Sequence, residues 1–471
     1  MIYNQITKEF EMIYLSITGI MLLVIFFIIQ SGGIDPAQNI DASKDILLSP
    51  FNFFIDNIHH NFTHPIAIFM LQIILILVVS NVFSYLLRKI HQPSVVAEII
   101  AGITLGPSIL GFFAPDIFNF LFPKNSISSI QFLSQIGLIL FMFVVGLEIN
   151  ISSVFKKAKN ALMISHFGIL FPFLCGTILA YFLYDNYANQ NVNFSSFALF
   201  IGIAMSITAF PVLARIVKEK GLSQTHIGSI TLAAAAIDDI SAWLILAAII
   251  AIVKAGTGSS AIFNILMAVI YLIGMFFIIK PMLVKYSKNM TNKSSFVVLV
   301  FFVLLVSSYT TEIIGIHALF GAFIAGVIMP NNNRLGFIDK VEDVAIIFLL
   351  PLFFVFTGLR TQLQFLTDIN FLFISLLIIV VAVFGKLFGA TITSKFLGYS
   401  WKESFTIGTL MNTRGLMELV VLNIGYDMGI ITQELFSMMV LMALFTTFMT
   451  GPLLWLINNI SKTRNLNIAK E

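Results

Sequence analysis

Residues 231–247 read TLAAAAIDDISAWLILA. Two adjacent carboxylates, Asp238 and Asp239, stand at the centre of this run, and the run lies within an apolar stretch, 225–253, long enough to cross the hydrocarbon core of a bilayer. An ionisable group at mid-membrane costs ~2.5–3.5 kcal/mol on insertion scales, so a pair of acids there asks for a reason. Neighbours on a helix point about 100° apart, so both side chains can border one cavity, whereas they cannot both face lipid. Two close, buried carboxylates do not both keep their charge without a counter-charge, and a proton or a hard monovalent cation can supply it. The alternative is a purely structural pair, bonded to Ser241 or to other helices.

Outward from this stretch the whole chain is apolar. Of 471 residues, 58% are hydrophobic and 10% charged, with 49 Phe and 19 Met. A soluble domain carries roughly 25% charged residues, so a soluble enzyme and a disordered chain are both excluded. The balance of 26 basic and 23 acidic residues provides no field for nucleic acid. The single cysteine, Cys175, cannot form an intramolecular disulfide. Fourteen apolar runs read as spans: 11–30, 65–87, 94–112, 130–149, 160–183, 196–214, 225–253, 261–282, 295–310, 315–330, 344–359, 369–392, 403–425 and 434–457. They are continuously apolar rather than alternating, which points to helices and away from strands, so the fold class is all-α and polytopic.

Basic residues set the expected orientation. Alternate connections, with the two ends, hold 19 Lys and Arg; the opposite connections and span edges hold four, Lys44, Lys124, Lys254 and Arg360. With the first span uncleaved, both termini are expected in the cytoplasm. Span 11–30 could instead be a signal peptide, although Glu9 and Glu11 beside Lys8 make a poor basic region. The chain divides into an N-terminal span and external loop at 1–64, a transmembrane unit at 65–457 and a short cytoplasmic tail at 458–471. No G-x-G-x-x-G or P-loop occurs, so a nucleotide-binding domain is not expected. His59, His60 and His64 in the external loop read as polar loop residues sooner than as a metal site.

Three further features interrupt the apolar spans. Lys386, in VAVFGKLFGA, is nine residues from Lys395 and some 13 Å deep at 1.5 Å per residue, too far for easy snorkelling; Asp238 is its natural partner. In SITAFPVLARIV, 206–217, Pro211 together with Ser206 and Thr208 suggests a broken helix whose freed carbonyls and hydroxyls face a cavity and help coordinate a cation. In MNTRGLMELVVLNIG, 411–425, Asn412, Thr413, Arg414 and Gly415 break another span, and Arg414 and Glu418 are spaced to neutralise each other. Glu98 reads as structural, Glu148 as solvated near an interface, and His317 as a packing or capping residue near an outer span end.

The halves of the chain also echo one another. IAGITLGP from Ile100 resembles IAGVIMP from Ile324, and FMFVVGLE ending at Glu148 resembles FFVFTGLR ending at Arg360, at offsets of 224 and 212 residues. In the topology set by the basic residues each member runs opposite to its partner, as in the inverted repeats of secondary transporters.

Taken in order, RKIHQPSVVAEIIAGITLGPSILG, LFMFVVGLEI, SITAFPVLARIVKEKGL, AAAIDDISAW, GIHALFGAFIAGVIMP, LPLFFVFTGLRT, GKLFGA and MNTRGLMELVVLNIG resemble the monovalent cation:proton antiporter-2 family, in the branch of the plant cation/proton exchangers and their bacterial relatives. The resemblance runs from about 65 to 457. It implies a thirteen-helix core with inverted repeats, two crossed broken helices at 196–214 and 403–425, and a homodimer; span 11–30 is additional to that pattern. It implies that Asp239 carries the cation or the proton, that Asp238 and Lys386 form an ion pair, and that Thr208 lies at the broken-helix position. The activity expected is exchange of Na+ or K+ for H+ in a membrane, the plasma (inner) membrane of a bacterial cell, without a cofactor. A gated potassium efflux path is the rival within transport. An ion-binding sensor would want a signalling domain larger than the tail at 458–471, and an intramembrane aspartyl protease would draw its two acids from separate helices.

Overall fold

The computed structural model describes residues 64–90, 92, 94–148, 158–190, 192–222, 225–255, 258–289, 293–330, 343–363 and 368–468, with a few positions between 16 and 62. His59 and His60 therefore fall outside the described residues, as does the side chain of Glu148, and of span 11–30 only half is described, residues 16, 18–25 and 27, all helical. Nearly all of the described chain is helical, and its only strand-like pairing is an isolated bridge between Ala188 and Ile431.

The helices are α1 (Pro65–Arg88), α2 (Ser94–Leu105), α3 (Lys124–Glu148), α4 (Ala158–Tyr187), α5 (Phe194–Ala204), α6 (Phe210–Glu219), α7 (His226–Ala255), α8 (Gly258–Ile273), α9 (Lys293–Ile314), α10 (Ala318–Ile328), α11 (Leu350–Arg360), α12 (Ile369–Phe396), α13 (Trp401–Met411), α14 (Leu416–Asp427) and α15 (Gln433–Ile468). A π-helical segment, Gly274–Ile279, carries α8 on into Lys280–Asn289, and another, Val344–Leu349, leads into α11. Among the described residues nine helices are long and apolar enough to cross a membrane, and Phe194–Ala204, Ala318–Ile328 and Val344–Arg360 are shorter apolar helices. The sequence spans 196–214 and 403–425 are thus not continuous: each is two half-helices joined by a non-helical stretch.

Helix packing sorts these elements into two bundles. One contains α4, α5, α6, α7, α12, α13, α14 and α15; the other contains α1, α2, α3, α9, α10 and α11. In the first, long α4 and α12 lie side by side, and each packs on the half-helix that follows it. In the second, Ile76, Leu105, Ile130 and Leu352 bring α1, α2, α3 and α11 into one apolar cluster. Large apolar side chains also point away from the protein: Phe277 is 75% exposed, Tyr181 70% and Phe302 63%. A water-facing surface would not carry so many, and lipid tails solvate them without cost.

The sequence echo has a structural counterpart in the second bundle. A Cβ built on Gly102 would lie 2.9 Å from the Gly358 Cα, and one on Gly146 would lie 3.0 Å from the Gly326 Cα. The same Cβ atoms would fall on the carbonyl oxygens of Val355 and Phe323, closer than a side chain permits, so α2 crosses α11, and α3 crosses α10, backbone against backbone, the approach that small residues allow between membrane helices. Each crossing joins one half of the echo to the other half.

Candidate functional site

The two helix breaks meet in the first bundle. After α5 ends, residues 207–209 are non-helical, and Pro211 stands in the first turn of α6, where its missing N–H costs no helix bond. After α13 ends, residues 413–415 are non-helical, and Gly415 at φ 152° supplies a backbone conformation that L side chains rarely adopt. The strands of chain are tied where they cross. Ala209 N donates to Thr413 O at 3.0 Å, and the Thr208 hydroxyl donates to Met411 O at 3.0 Å.

Asp238 and Asp239 reach this crossing from the middle of α7, and both are fully buried. Their surroundings differ. Asp238 accepts from Thr208 N at 2.8 Å and from Lys386 Nζ, which is 3.1 Å from Oδ2 and 3.3 Å from Oδ1. Lys386, fully buried on α12, donates also to Gly168 O on α4 at 2.8 Å and to Ser206 O. Neither oxygen of Asp239 has a hydrogen bond of good geometry among the described residues, and the Phe210 amide is the one donor turned towards it. One turn along α7, Trp243 Nε1 is buried and equally without a partner.

Arg414 does more than its spacing suggested. It pairs with Glu418 Oε2 at 2.9 Å, both side chains fully buried, and it also donates to Ala204 O at 3.0 Å and Met205 O at 2.5 Å. The carbonyls freed at the end of α5 are thus taken by Arg414, and Ser206 O by Lys386. Two cations sit where a half-helix leaves its negative end unsatisfied. The Ser206 hydroxyl turns back to Gly202 O at 2.6 Å. The carbonyls and the Ser206 hydroxyl, which the sequence offered as cation ligands, are engaged within the protein in this structure. Among the described residues, the buried acceptors left open include both oxygens of Asp239, Asn412 Oδ1 and Glu418 Oε1. Thr413 contacts the Thr450 hydroxyl at 3.3 Å, and the Arg414 carbonyl accepts from Thr447 at 2.7 Å, which fixes the second break against α15.

Other residues singled out in the sequence lie elsewhere. Glu98 is buried on α2, in the second bundle. His317 caps α10, its Nδ1 accepting from Leu319 N at 3.4 Å. No group of three or more His, Cys, Asp or Glu able to hold a metal occurs among the described residues. One arrangement gave no sequence signal: Arg360, at the end of α11, donates to Asp427 Oδ1 at 2.7 Å and to Asn423 Oδ1 at 3.2 Å, both on α14, and so bridges the two bundles.

Chemically, two crossed helix breaks bring together one buried carboxylate already neutralised by a lysine and another with only the Phe210 amide near it. A buried acceptor without a partner is costly, and a proton or a desolvated cation is what would satisfy it.

A family model described as sodium/hydrogen exchanger, transmembrane, matches residues 73–456. The chain is 40% identical over 400 residues to the Na(+)/H(+) antiporter NhaS4 of Synechocystis, covering 83% of this chain and 97% of that one. It is 35% identical over 420 residues to the K(+)/H(+) antiporter 1 of Saccharomyces cerevisiae, covering 86% of this chain but only 48% of the yeast protein, so the chain spans about half the length of that relative. In structure it resembles the sodium proton antiporter MjNhaP1 of Methanocaldococcus jannaschii at pH 8, with a TM-score of 0.60 over 84% of this chain and 99% of that one, at 17% identity.

Proposed function

The chain belongs to the sodium/hydrogen exchanger family, and from that premise we propose that it is a secondary active antiporter exchanging a monovalent cation, Na+ or K+, for protons by alternating access. The observation that carries this reading is the contrast between the two acids: Asp238 is held by Lys386 and Thr208, while Asp239, equally buried, has no cationic or side-chain donor and only the Phe210 amide near it.

Asp239 binds the cation or the proton in turn, since one carboxylate cannot hold both. Thr208 keeps its hydroxyl lone pairs beside the pocket while its proton is committed to Met411 O, so the oxygen can turn to a cation without losing that bond. Asn412 Oδ1, buried and unpaired, is a further oxygen within the same crossing. Arg414 and Glu418 hold the second break against the first. Lys386 and Asp238 form a pair whose charge depends on what Asp239 carries: with a cation at Asp239, Lys386 gives up its proton, and when Asp239 is protonated, Lys386 takes a proton and pairs with Asp238. Two protons then exchange for one cation, so net charge moves in each cycle. The bundle of broken helices carries the site, and rocking it against the second bundle exposes the pocket to either side in turn.

The transport unit is 65–457, and it works without a cofactor, as a homodimer in the plasma (inner) membrane of a bacterial cell. The basic connections face the cytoplasm, as do both termini where span 11–30 is retained.

The test uses purified protein in liposomes with an internal pH dye, challenged in turn with Na+, K+, Li+ and Rb+. Wild-type protein is expected to move protons on cation addition, and Asp239→Asn to abolish this while remaining folded and monodisperse. Exchange at the wild-type rate in the folded variant would defeat the assignment.

A further inference from the structure

We infer that the mouth opposite the basic connections holds a second monovalent-cation site, built by Asp427 and Asn423, which the Arg360 guanidinium fills in this structure as a tethered cation. This rests on the antiport reading above, which supplies the two-sided cycle.

One guanidinium nitrogen of Arg360 serves both acceptors, lying 2.7 Å from Asp427 Oδ1 and 3.2 Å from Asn423 Oδ1. That places a positive centre between a carboxylate and an amide oxygen, the hard-oxygen setting that a monovalent cation takes. The Asn423 amide is fixed with its oxygen toward this position. Its nitrogen donates to Thr357 Oγ1 on α11 and to Leu419 O on α14 itself, each at 2.9 Å; the second bond stays when the bundles part, so the oxygen is the atom left to face a cation. Asp427 closes α14, where the negative end of the helix dipole adds to the preference for positive charge. Beside the pair lies a cavity of about 30 Å³, enough for a water molecule or a bare monovalent ion, and Gln131, Ser134 and Gln135 from α3 line it together with Asn423 and Asp427. The Phe356 and Tyr426 rings, 4.2 and 5.3 Å from the guanidinium carbon, hold Arg360 in place.

The partition between bundles gives the arrangement its meaning. Asp427 and Asn423 are one turn apart on α14 and move together with the broken helices, whereas Arg360 is on α11 and stays with the second bundle. When the bundles part at this mouth, the two oxygens lose their resident cation just as the pocket opens to that side. An external cation then occupies the vacated place first, and Arg360 displaces it inward as the mouth closes.

Right-side-out and everted membrane vesicles separate the two faces. In wild-type vesicles the half-saturating Na+ or Rb+ concentration is measured at each face. Arg360→Gln is expected to lower the value at the outer face about fivefold, equivalent to ~1 kcal/mol, as for a partly exposed ion pair. Asp427→Asn is expected to raise the outer value several-fold, and both variants should leave the inner value unchanged. The reversed pair, Arg360→Asp with Asp427→Arg, restores a bridge between the bundles but not the oxygen pair on α14, so its outer value should stay raised. Equal shifts at both faces, no shift at either, or a reversed pair with wild-type outer affinity would make Arg360–Asp427 a latch only. Asp239→Asn in the same vesicles keeps the premises apart: exchange that survives it defeats the central reading, whereas exchange that it abolishes, with an outer value indifferent to Asp427, defeats only the second site.

Discussion

The Asp238–Lys386 pair can be taken apart from either side, and the structure says the two sides are unequal. Lys386→Gln leaves Asp238 charged and buried with only the Thr208 amide, and strips the Gly168 and Ser206 carbonyls of their donor. Breaking a buried pair from one side costs ~3–5 kcal/mol, and each buried acceptor left open adds ~1–3 kcal/mol. Asp238→Asn leaves Lys386 with both carbonyls, so it should fall at the low end of the first range. The double variant removes both charges and strands neither, and it should be at least ~2 kcal/mol more stable than the sum of the single losses, because the two residues share one network. Thermal unfolding of the four proteins in one detergent reads this coupling. Exchange in liposomes under an imposed diffusion potential reads the function. If the pair moves charge, 100 mV is worth ~2.3 kcal/mol per charge, or about fiftyfold in the ion ratio at balance. The wild type should show that response, and the double variant should exchange without it. Additive single losses would show the pair to be uncoupled. A double variant with unchanged voltage response, or a wild type with none, would refute its role in charge movement.

Three other outcomes follow from the same geometry. If proton and cation share Asp239, the apparent cation affinity should weaken as pH falls, approaching tenfold per pH unit near the site's own titration for one competing proton; a half-saturation flat from pH 6 to 9, with only the maximal rate changing, would mean separate sites. Arg414→Gln should lose stability and exchange together, since it frees Glu418 and the Ala204 and Met205 carbonyls at once, whereas Thr447→Val, which removes one hydroxyl shared between the Arg414 and Ala443 carbonyls, should cost about 1 kcal/mol in thermal unfolding and spare exchange. Gly146→Val should be poorly folded, because its Cβ would fall on the Phe323 carbonyl, while Gly274→Val, with nothing near its Cβ, should be tolerated; equal melting of the two would contradict the crossing.

What the sequence made legible was whatever leaves a local mark. Pro211 and Gly415 announce breaks because each restricts or frees its own backbone. Asp238, Asp239 and Lys386 stand out because a charge in an apolar run is costly wherever its partner lies. The grip of Arg414 on Ala204 and Met205 was invisible, since about two hundred residues separate the partners and the nearby Glu418 already accounts for the charge. For the same reason the freed carbonyls read as open ligands when they are occupied: a sequence shows that a helix breaks, not who answers its orphaned groups. Arg360 was counted only as an edge residue, and nothing in TGLRT indicates that its partner ends a helix 67 residues on.

The reciprocal glycine crossings make the second bundle a dimer folded into one chain. Gly102 meets Gly358, and Gly326 meets Gly146, the exchange of partners that defines an isologous interface. In a true homodimer every substitution is felt at both joints, so the joints remain identical. Here each joint is written separately, and they have already drifted: the carbonyl facing Gly102 belongs to Val355, and the one facing Gly326, at the equivalent place, belongs to Phe143. A covalently joined pair can therefore tighten one seam and ease its twin, and so acquire a front and a back that two identical halves could never have.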